Sequence, residues 1–518
     1  MAKVAGIDLG TTFSAIAILN EVGKAEIVPN RDGDRITPSA VSFDLDRERP
    51  MVGTEAKNRR SDEEHRLKTF VHFKRSMNEP DQVYTPHGRS SENYLRSFKG
   101  EEITPVFLSA LVLKKLVDDA SHHCGERIDD VVISVPAYFA QIQREGTMRA
   151  AKMAGLNVID LVNEPTAAAI YYTTQREVSG KIMIFDLGGG TFDVTILSVA
   201  GSEVEILTSR GDSKLGGTDF DTRIADVVKT RYETERNGPL IDGDTNIELL
   251  EQDCENLKKR LSKVPQQKLP MSGASGRYAC PFTDADLEQT IAAELSRIEL
   301  LMEATLDEIG LKPSDISQTL LVGGSTRTPA IQTLVERVMG KPPETAPNVD
   351  EIVALGAAIR AGIHVNKVSP NKLTAAAQKA MNSFDVVDIA NVSYGTLCLN
   401  DDGTRRVNDI LIPKNTPLPC EVSKTYYTVS DGQESINCNV TQGESLYEDL
   451  VDLIHQEPLS LPPGRPRGQP IEVTYSYDAS QIMHCRFRDS GTGTVHEVDL
   501  SPGAEGDDTD DLSDLLID

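Results

Sequence analysis

The chain contains the stretch Gly6-Ile7-Asp8-Leu9-Gly10-Thr11-Thr12 and a second copy of its pattern, Phe185-Asp186-Leu187-Gly188-Gly189-Gly190-Thr191. In each copy an apolar run leads into an Asp-Leu-Gly triplet and another apolar run follows the glycines, which predicts a β-hairpin. Glycine lets main-chain N–H groups approach an anionic oxygen, and the adjacent Thr hydroxyl can donate a further hydrogen bond. One such turn alone is also compatible with an ordinary glycine turn. Two matching copies predict two related lobes that face one phosphate group.

An aspartate ends the first predicted strand of each hairpin, at Asp8 and at Asp186. A carboxylate repels bare phosphate, but it binds Mg²⁺ or a Mg²⁺-bound water that lies between the two anions. The sequence has neither a G-x-x-x-x-G-K-[ST] loop nor a strand-coupled G-x-G-x-x-G motif. We therefore expect hairpins, instead of a helix N-terminus, to hold a metal–nucleotide complex.

The bulk composition predicts a globular protein of about three domain-sized units, because 518 residues with 39% apolar side chains can form several cores. The sequence has no run of roughly 18 apolar residues and no signal-peptide core after Met1, so neither membrane insertion nor export is expected. Seven Cys without a C-x-x-C pair favour a reducing cytoplasm. A net charge of −27 argues against nucleic-acid binding, which depends on Lys and Arg.

The sequence pattern changes along the chain. Strand patterns alternate with helical patterns over residues 1–362, which predicts an α/β region; residues 107–120 and 285–309 have helical spacing. Residues 373–380 predict a short additional helix. From Asn391 to Leu500, short alternating strands with turn residues predict a β-sandwich.

Further motifs are similar, in order and approximate spacing, to those of the 70-kDa heat-shock protein (Hsp70) family of chaperones, within the actin-like ATPase superfamily. They are Val135-Pro136-Ala137-Tyr138-Phe139, Asn163-Glu164-Pro165-Thr166-Ala167-Ala168-Ala169-Ile170, Leu215-Gly216-Gly217, Leu321-Val322-Gly323-Gly324-Ser325-Thr326-Arg327, Gly356-Ala357-Ala358, Ile412-Pro413-Lys414-Asn415-Thr416 and the stretch 462–475. The resemblance implies a two-lobed actin-like ATPase domain at 1–383, a linker at 384–390 and an all-β sandwich, peptide-binding-like domain at 391–501. An acidic tail follows at 502–518, where the family usually has a helical lid.

The resemblance implies an ATP-dependent chaperone of the stress response that hydrolyses ATP to regulate the binding of an extended apolar polypeptide by a lidless β domain. The implied ligands are ATP or ADP, Mg²⁺ and a neighbouring K⁺. A J-domain co-chaperone and a nucleotide exchange factor are the implied partners. Two alternatives stay open: a co-chaperone or exchange-factor-like relative that binds ATP structurally, and a sugar or small-metabolite kinase, which would need a substrate pocket instead of the β domain.

The resemblance also assigns roles to residues of the cleft. Lys74 would contact the γ-phosphate and the attacking water, Glu164 would orient that water, and Thr191 would hydrogen-bond the γ-phosphate; a surface lysine is the alternative for Lys74. Asp186 would act with them, and Asp8, Asp186 and Asp193 would hold the hydrated Mg²⁺ or the K⁺. The positions that match the family's nucleotide contacts are Gly10, Thr11, Thr12, Gly188, Gly189, Gly190, Thr191, Gly216, Gly217, Glu255, Lys258, Ser262, Gly323, Gly324, Ser325, Arg327 and Asp350.

Three positions depart from the family's pattern. Asp160 stands where many members have an Arg that transmits J-domain and linker signals, so we expect it to repel Asp388 of the linker. Lys259 stands where some members have an Arg that completes the adenine sandwich, and we expect a weaker clamp. Asp385 replaces an apolar linker residue, but Val386-Val387 still predicts docking on the ATPase domain, with a simple edge strand as the alternative.

Two features of the C-terminal region have two interpretations each. The residues that match the family's peptide groove would also be apolar in the core of any sandwich; they are Leu399, Tyr426, Val429, Ile436 and Cys438. The acidic tail contains Leu512, Leu515, Leu516 and Ile517. We favour a solvated terminal tail over a docking peptide.

Overall fold

The computed structural model describes residues 3–44, 46, 49–62, 64–85, 94–175, 179–201, 203–240, 247–345, 348–382, 384–400, 402–478, 482–500, 512, 515 and 517. None of the helices in this part of the chain is long and apolar enough to cross a membrane. The first lobe contains β1 (Ala5–Asp8), β2 (Phe13–Leu19), β3 (Ala25–Ile27), β4 (Thr37–Pro38), β5 (Ala40–Ser42), β6 (Met51–Val52), α1 (Thr54–Arg59), β7 (Thr69–Val71), β8 (Ser97–Phe98), β9 (Glu101–Glu102), α2 (Pro105–Cys124), β10 (Asp130–Val135), α3 (Gln141–Met153), β11 (Asn157–Asn163) and α4 (Glu164–Gln175).

The second lobe follows directly and ends with the linker strand. It contains β12 (Ser179–Leu187), β13 (Phe192–Ala200), β14 (Glu203–Asp212), α5 (Gly217–Arg236), α6 (Ile247–Leu261), β15 (Gln266–Gly273), β16 (Gly276–Thr283), α7 (Asp284–Thr290), α8 (Ala292–Glu308), β17 (Gln318–Val322), α9 (Pro329–Met339), β18 (Glu344–Thr345), α10 (Ile352–Val368), α11 (Ala375–Met381) and β19 (Asp385–Val387). Within the region 285–309, which has helical spacing throughout, the chain forms two helices, α7 and α8, separated at the fully buried Ile291. The predicted short helix at 373–380 corresponds to α11.

The two lobes repeat one topology. In the first lobe the sheet order is β11-β10-β1-β2-β3, with β1 antiparallel to β2 and parallel to β10. In the second the order is β18-β17-β12-β13-β14-β19, with β12 antiparallel to β13 and parallel to β17. The duplicated hairpins are therefore the equivalent strands of two related sheets, as the sequence pattern predicts.

Helix α10 packs closely against both β1 and α4. A Cβ atom on Gly6 would lie 1.9 Å from the main-chain nitrogen of Ala358, and one on Gly356 would lie 1.8 Å from the carbonyl oxygen of Ala167. These positions admit no side chain, because the backbones themselves are in contact. The close packing fixes the two hairpins on opposite sides of one cleft.

The C-terminal domain is a β-sandwich, as predicted. It contains β20 (Tyr394–Leu399), β21 (Arg406–Ile412), β22 (Cys420–Tyr427), β23 (Ser435–Gln442), β24 (Asp452–Ser460), β25 (Pro470–Tyr477), β26 (Met483–Asp489) and β27 (Val495–Leu500). One sheet has the order β21-β20-β23-β24 and the other β22-β25-β26-β27. Tyr394, Tyr475 and Phe487 are fully buried between the sheets.

The linker is docked on the second lobe. Strand β19 runs parallel to β14, with Val386 opposite Val204 and Val387 opposite Glu205, and so extends that sheet by one strand. Val386 also packs on the apolar cluster that contains Met381. The docked interpretation and the edge-strand alternative therefore describe the same arrangement. Ser383, at the end of the predicted ATPase domain, lies outside the described residues.

The end of the chain packs on the first lobe. Leu512 is buried in the apolar core of that lobe, and Leu515 and Ile517 pack against the same core. The main-chain nitrogen of Leu512 donates a 2.8 Å hydrogen bond to the carbonyl oxygen of Met153. The predicted solvated tail is therefore wrong for these three residues, because their apolar side chains find an apolar surface within reach. Ser501, residues 502–511 and Leu516 lie outside the described residues.

Candidate active site

The two hairpin turns meet at the base of the cleft between the lobes. A Cβ atom on Gly189 would lie 1.9 Å from Oγ1 of Thr12, and one on Gly190 would lie 2.6 Å from Cγ2 of Thr11. Glycine is required here because the second turn lies directly on the threonines of the first. The two phosphate-binding turns thus face one small volume.

A cavity of about 920 Å³ lies between the lobes, and its walls contain most of the predicted site residues. Three predicted positions do not line it: Gly190, Gly216 and Asp193. Gly216 lies under the second turn, where a Cβ would be 2.6 Å from the carbonyl oxygen of Gly189. The predicted positions that line the cavity are Asp8, Gly10, Thr11, Thr12, Lys74, Glu164, Asp186, Gly188, Gly189, Thr191, Gly217, Glu255, Lys258, Ser262, Gly323, Gly324, Ser325, Arg327 and Asp350.

Lys74 and Glu164 form a buried ion pair on the floor of the cavity, with Nζ 2.6 Å from Oε1. Lys74 belongs to a short 3₁₀ helix, Phe73–Ser76, and only 4% of its surface is exposed. Glu164 begins α4 directly after β11, so a strand end and a helix start fix its position. The surface-lysine alternative for Lys74 is therefore wrong.

Three aspartates surround this pair: Asp8, Asp186 and Asp193. Burial is the main cause that raises their pKa values, and the negative charge of Glu164 raises each of them further. Asp186 and Asp193 are also direct cross-strand partners in the hairpin of β12 and β13. Carboxylates that raise each other's pKa in this way favour binding of a cation.

The chemistry of this acidic cluster fits a hydrated divalent cation. Both carboxylate oxygens of Asp193 are buried, and neither has a partner of normal hydrogen-bond geometry among the described residues, although the main chain at Ala137 lowers the pKa of Asp193. Asp8 accepts a 3.2 Å hydrogen bond from Ser134 and otherwise faces the cavity. Oxygen donors of this kind are the ligands that Mg²⁺ and its bound waters prefer. Asp8, Asp186 and Asp193 are thus suited to the metal that the sequence predicts.

The second lobe provides the other wall of the cavity. The Ser325 hydroxyl donates a 2.8 Å hydrogen bond to the carbonyl oxygen of Gly188, and Arg327 pairs with Asp350 at 2.7 Å. Gly323 has a φ of 83°, a conformation that favours glycine. Half of the Arg327 side chain is exposed, so its planar guanidinium is accessible to a base.

Glu255 and Lys258 already have protein partners. Lys258 Nζ donates a 2.5 Å hydrogen bond to the carbonyl oxygen of Gly217 and lies 2.7 Å from Asp221. Glu255 contacts Lys259 of its own helix at 2.6 Å and Lys57 of the first lobe at 3.3 Å. Burial alone would raise the pKa of Glu255, but Lys57 and Lys259 outweigh it and hold the pKa at about 2. The pair of Lys57 and Glu255 bridges the mouth of the cleft.

Arg75 is a functional residue that the sequence analysis missed. Its guanidinium donates to Thr218 Oγ1 at 2.6 Å and to Asp219 Oδ1 at 3.0 Å, so it joins the first lobe to the start of α5. The Cβ position of Gly190 is 2.8 Å from its side chain. The available signal was its place next to Lys74, where a second cation could have been expected to face the cleft.

Hydrogen bonds connect Asp388 of the linker to residues beside the cleft floor. Asn163 Nδ2 donates to both oxygens of Asp388 at 3.2 Å, and Arg144 donates to Asn163 Oδ1 at 2.8 Å. Arg144 also donates to the carbonyl oxygens of Ala137 and Phe139. Asn163 immediately precedes Glu164 in the chain. The linker therefore contacts the residue next to the ion pair on the cleft floor.

The expected repulsion between Asp160 and Asp388 is confirmed, but it is not left unopposed: burial, and to a lesser extent the charge of Asp388, raises the pKa of Asp160, while Arg360 lowers it. Asp160 is buried and forms a 2.7 Å ion pair with Arg360 of α10. Arg360 also lowers the pKa of Asp388, although burial remains the larger influence and raises it. The cation that many family members have at position 160 is thus supplied here from position 360. The signal was present in the sequence: Arg360 is the single charged residue in the apolar run 352–363.

The sandwich touches both lobes. Gln141, at the start of α3, makes two hydrogen bonds to the sandwich. Its side-chain Nε2 donates to the carbonyl oxygen of Leu500 at 2.9 Å, and its main-chain nitrogen donates to Oε1 of Gln442 at 3.3 Å. Lys414 forms a 3.0 Å ion pair with Glu308 of the second lobe. The β domain is therefore held against the ATPase lobes together with the docked linker.

The predicted groove residues fall into two groups. Leu399 and Val429 are exposed, at 39% and 57% of their surface, whereas Cys438 is fully buried in the core of the sandwich. Tyr426 and Ile436 are half-buried and pack on that core. The groove interpretation suits Leu399 and Val429, and the core interpretation is correct for Cys438.

Comparison with known proteins identifies the family. The family described as "Hsp70 protein" matches residues 4–516. The chain belongs to the Hsp70 family. It is 37% identical over 523 residues to heat shock 70 kDa protein 6, chloroplastic, of Arabidopsis thaliana, which covers 96% of this chain and 69% of that protein. It is 35% identical over 533 residues to chaperone protein dnaK of Cyanidium caldarium, which covers 100% of this chain and 83% of that protein.

Membership has direct consequences for the cleft. Hsp70 proteins are ATPases that bind ATP or ADP with Mg²⁺, and this Hsp70 is an ATPase. The two-lobed domain followed by a β-sandwich agrees with that family. The kinase alternative is wrong, because the family match extends through the β domain.

Proposed function

We propose that this Hsp70 is an ATP-driven chaperone in which the state of the nucleotide controls linker docking, and linker docking controls the affinity of the β domain for an extended apolar polypeptide. The observation that carries the proposal is the linker itself: β19 extends the sheet of the second lobe while Asp388 bonds to Asn163, next to Glu164. A linker that makes such contacts can shift an equilibrium, whereas a passive tether cannot.

In this proposal, hydrolysis depends on three side chains of the cleft. The Lys74 ammonium offsets charge on the γ-phosphate, the Glu164 carboxylate orients the attacking water, and the Thr191 hydroxyl donates to a phosphate oxygen. The 2.6 Å contact between Lys74 and Glu164 keeps both polar groups on the cavity floor. The backbone N–H groups of the two glycine turns restrain the phosphates.

Asp8, Asp186 and Asp193 would hold Mg²⁺ through its waters, and a K⁺ ion could share these carboxylates. The cation would supply charge neutralisation at the phosphates. What this chain contributes is a buried acidic cluster: Asp8 and Asp186 line the cavity, Asp193 lies behind them, and burial and the charge of Glu164 raise the pKa of all three. On the second lobe, Arg327 would stack on adenine while Glu255 and Lys258 exchange protein partners for ribose and base.

We further propose that peptide binds to the sandwich without a helical lid. Support comes from the three described residues after β27, because Leu512, Leu515 and Ile517 pack on the first lobe and not over the β domain. The exposed Leu399 and Val429 would contact the peptide. A cytoplasmic, stress-related role with J-domain and exchange-factor partners completes the proposal, and the pairing of Asp160 with Arg360 keeps a cation near Asp388 for the J-domain signal.

Single-turnover ATP hydrolysis, with and without an apolar peptide, tests the proposal. We expect hydrolysis in the absence of peptide and a changed rate in its presence, because peptide binding alters the same docking equilibrium. The competing role, a co-chaperone that uses ATP structurally, predicts tight nucleotide binding without turnover. Absence of turnover in correctly folded protein would therefore favour that competing role.

A further inference from the structure

Three potential metal ligands lie together at one side of the β-sandwich. His455 and Glu457 are on β24, His496 is on β27, and one ligand atom of each lies within 4.8 Å of the other two. Strands β24 and β27 are the last strands of the two opposing sheets. The three side chains therefore lie where the edge strands of the two sheets face each other.

These side chains occupy inward-facing positions. His455 is opposite Val440 and Glu457 is opposite Cys438, both fully buried, and His496 is opposite the buried Phe487. Residues directly opposite each other in a ladder point to the same face of the sheet. On these two edge strands, two imidazoles and a carboxylate therefore lie beside buried apolar residues, with the Glu457 side chain half exposed.

The geometry of the three groups suits a small cation. The imidazole rings of His455 and His496 are 6.1 Å apart and nearly parallel, at 22°. Nε2 of His496 lies 3.4 Å from Oε2 of Glu457. Ligand atoms bound at about 2.0–2.1 Å around a tetrahedral zinc ion are about 3.4 Å apart, so this pair already has the required separation. A ligand atom of His455 lies within 4.8 Å of both other groups.

We propose that His455, Glu457 and His496 bind a divalent transition-metal ion, with Zn²⁺ as the expected ion. Two imidazole nitrogens and one carboxylate oxygen are a common zinc ligand set, whereas Mg²⁺ and Ca²⁺ require oxygen donors. Half of the Glu457 side chain is exposed, so an ion can enter and a water can take the fourth position. The bound ion joins the two sheets at their edges and stabilises the sandwich.

Zinc titration of the nucleotide-free, chelator-treated full chain tests this site. We expect one Zn²⁺ per chain by calorimetry, with a dissociation constant on the order of 1 µM or tighter, and a rise in the midpoint of thermal unfolding that Mg²⁺ and Ca²⁺ do not cause. His455→Ala and His496→Ala should each weaken binding about 100-fold, and Glu457→Gln should weaken it less.

The matched control is His484→Ala in the same domain. His484 also lies beside carboxylates, Asp478 and Asp499, but it belongs to β26 and is not part of the cluster. We expect it to leave zinc affinity within about twofold. Absence of zinc binding, full affinity in His496→Ala, or an equal loss in His484→Ala would overturn the proposal.

A second measurement does not depend on the folding of a variant. Co²⁺ in the wild-type protein should give visible absorption typical of nitrogen and oxygen ligands. Intense thiolate charge-transfer bands would instead assign the bound ion to some of the seven cysteines and overturn the site.

The described end of the chain supports a separate inference, which rests on the proposed function. Helix α3 is held at both ends: Gln141 contacts Leu500 at the end of the sandwich, and Met153 accepts the hydrogen bond from Leu512. The helix has 13 residues and is about 20 Å long.

We propose that Leu512, Leu515 and Ile517 form a latch that holds the β domain on the first lobe while the linker is docked. The buried Leu512 contributes most, because it is the most deeply buried of the three and burial of apolar surface is what stabilises such a contact. The latch acts through α3, because the sandwich contacts the N-terminal end of this helix and Leu512 contacts its C-terminal end.

Hydrogen exchange of full-length variants in ATP tests the latch. Replacing Leu512, Leu515 and Ile517 with Ser should speed amide exchange over residues 141–158 about tenfold and expand the protein in small-angle scattering. The matched control replaces Asp507, Asp508 and Asp510 of the same tail with Ser and should change neither. Unchanged exchange, unchanged scattering, or an equal effect of the control would overturn the latch. ATP-dependent peptide affinity tests the proposed function separately.

Discussion

The nucleotide cleft and the linker junction both bury carboxylates, but they balance the charge in different ways. In the cleft, Asp8, Asp186 and Asp193 join Glu164 around Lys74, and burial together with the charge of Glu164 raises the pKa of each aspartate. At the junction, Asp160 has an ion pair with Arg360, and Asp388 is bonded to Asn163 and lies near Arg360 and Arg144.

This difference indicates different roles. Buried charge that stays unbalanced is costly, so the cleft is completed by a cation that comes with the nucleotide. The junction is complete within the protein and holds the linker in one defined arrangement. Removal of a charge from one region should therefore affect that region and leave the other largely unchanged.

The largest effect is expected on the cleft floor. Lys74→Ala and Glu164→Ala should each lower ATP hydrolysis by about 10²–10⁴-fold, because both groups act on the γ-phosphate and the attacking water. Nucleotide affinity should remain largely intact. Single-turnover hydrolysis and nucleotide titration measure the two effects. Lys57→Ala is the matched control, since this residue bridges the cleft mouth and should leave the rate near wild type.

The next effect concerns the junction. Arg360→Ala should destabilise the linker-docked state by about 3 kcal/mol, because it leaves Asp160 and Asp388 buried without their shared cation. Asp160→Ala added to Arg360→Ala should restore part of that loss. Protease cleavage at the linker measures docking. Equal cleavage of the wild type and Arg360→Ala would contradict the assigned role of Arg360.

Position 160 provides a second test of the junction. The single change Asp160→Arg would place a cation against Arg360, so we expect it to weaken docking. The charge swap, Asp160→Arg with Arg360→Asp, keeps one cation between the two positions and Asp388. We expect the swap to dock better than either single variant.

A smaller effect is expected from pH. The pKa values of Asp8, Asp186 and Asp193 are raised in the folded state, that of Asp8 to about 7. The folded protein therefore binds more protons than the unfolded chain, and its stability without nucleotide should fall as pH rises from about 4 through 7. We expect a loss on the order of 2–4 kcal/mol by denaturant unfolding. Mg²⁺-ATP should reduce this slope, and Asp193→Asn should reduce it in the free protein.

The smallest effect is expected at the adenine side. Lys259→Arg should raise ATP affinity about two- to fivefold, because a planar guanidinium stacks on a base better than an ammonium does. Lys259 now pairs with Glu255 and lies 5.3 Å from the centre of the Phe13 ring. Nucleotide titration measures the change. Lys229→Arg, on α5 and outside the residues that line the cavity, is the control and should leave the affinity unchanged.

The cleft could be predicted from the sequence because its parts are local. Each Asp-Leu-Gly turn specifies its own hairpin through glycine geometry, and Asn163-Glu164-Pro165 places Glu164 where a strand becomes a helix. The repeated pattern then required the two turns to face each other. The sandwich could be predicted for the same reason, because apolar and polar residues alternate locally along each of its strands.

The remaining contacts depend on residues that are far apart in the chain. Arg360 and Asp160 are 200 positions apart, and no local pattern states that α10 brings them together. Arg75 and Thr218 meet only across the cleft. Likewise the tail was expected to be solvated from its acidic composition, whereas three apolar side chains suffice to dock it when the first lobe offers an apolar surface.

The central claim is that nucleotide in the cleft controls peptide affinity through the docked linker. Dissociation of a fluorescent apolar peptide, measured in ADP and in ATP, tests it most directly, with Asp388→Ala as the variant that removes the linker's bond to Asn163. The proposed binding without a helical lid predicts rapid release in both nucleotides. The proposed linker coupling predicts a clearly lower affinity in ATP and loss of that difference in Asp388→Ala. Slow release in ADP would contradict lidless binding, and equal affinities in ADP and ATP for the wild type would contradict the central claim.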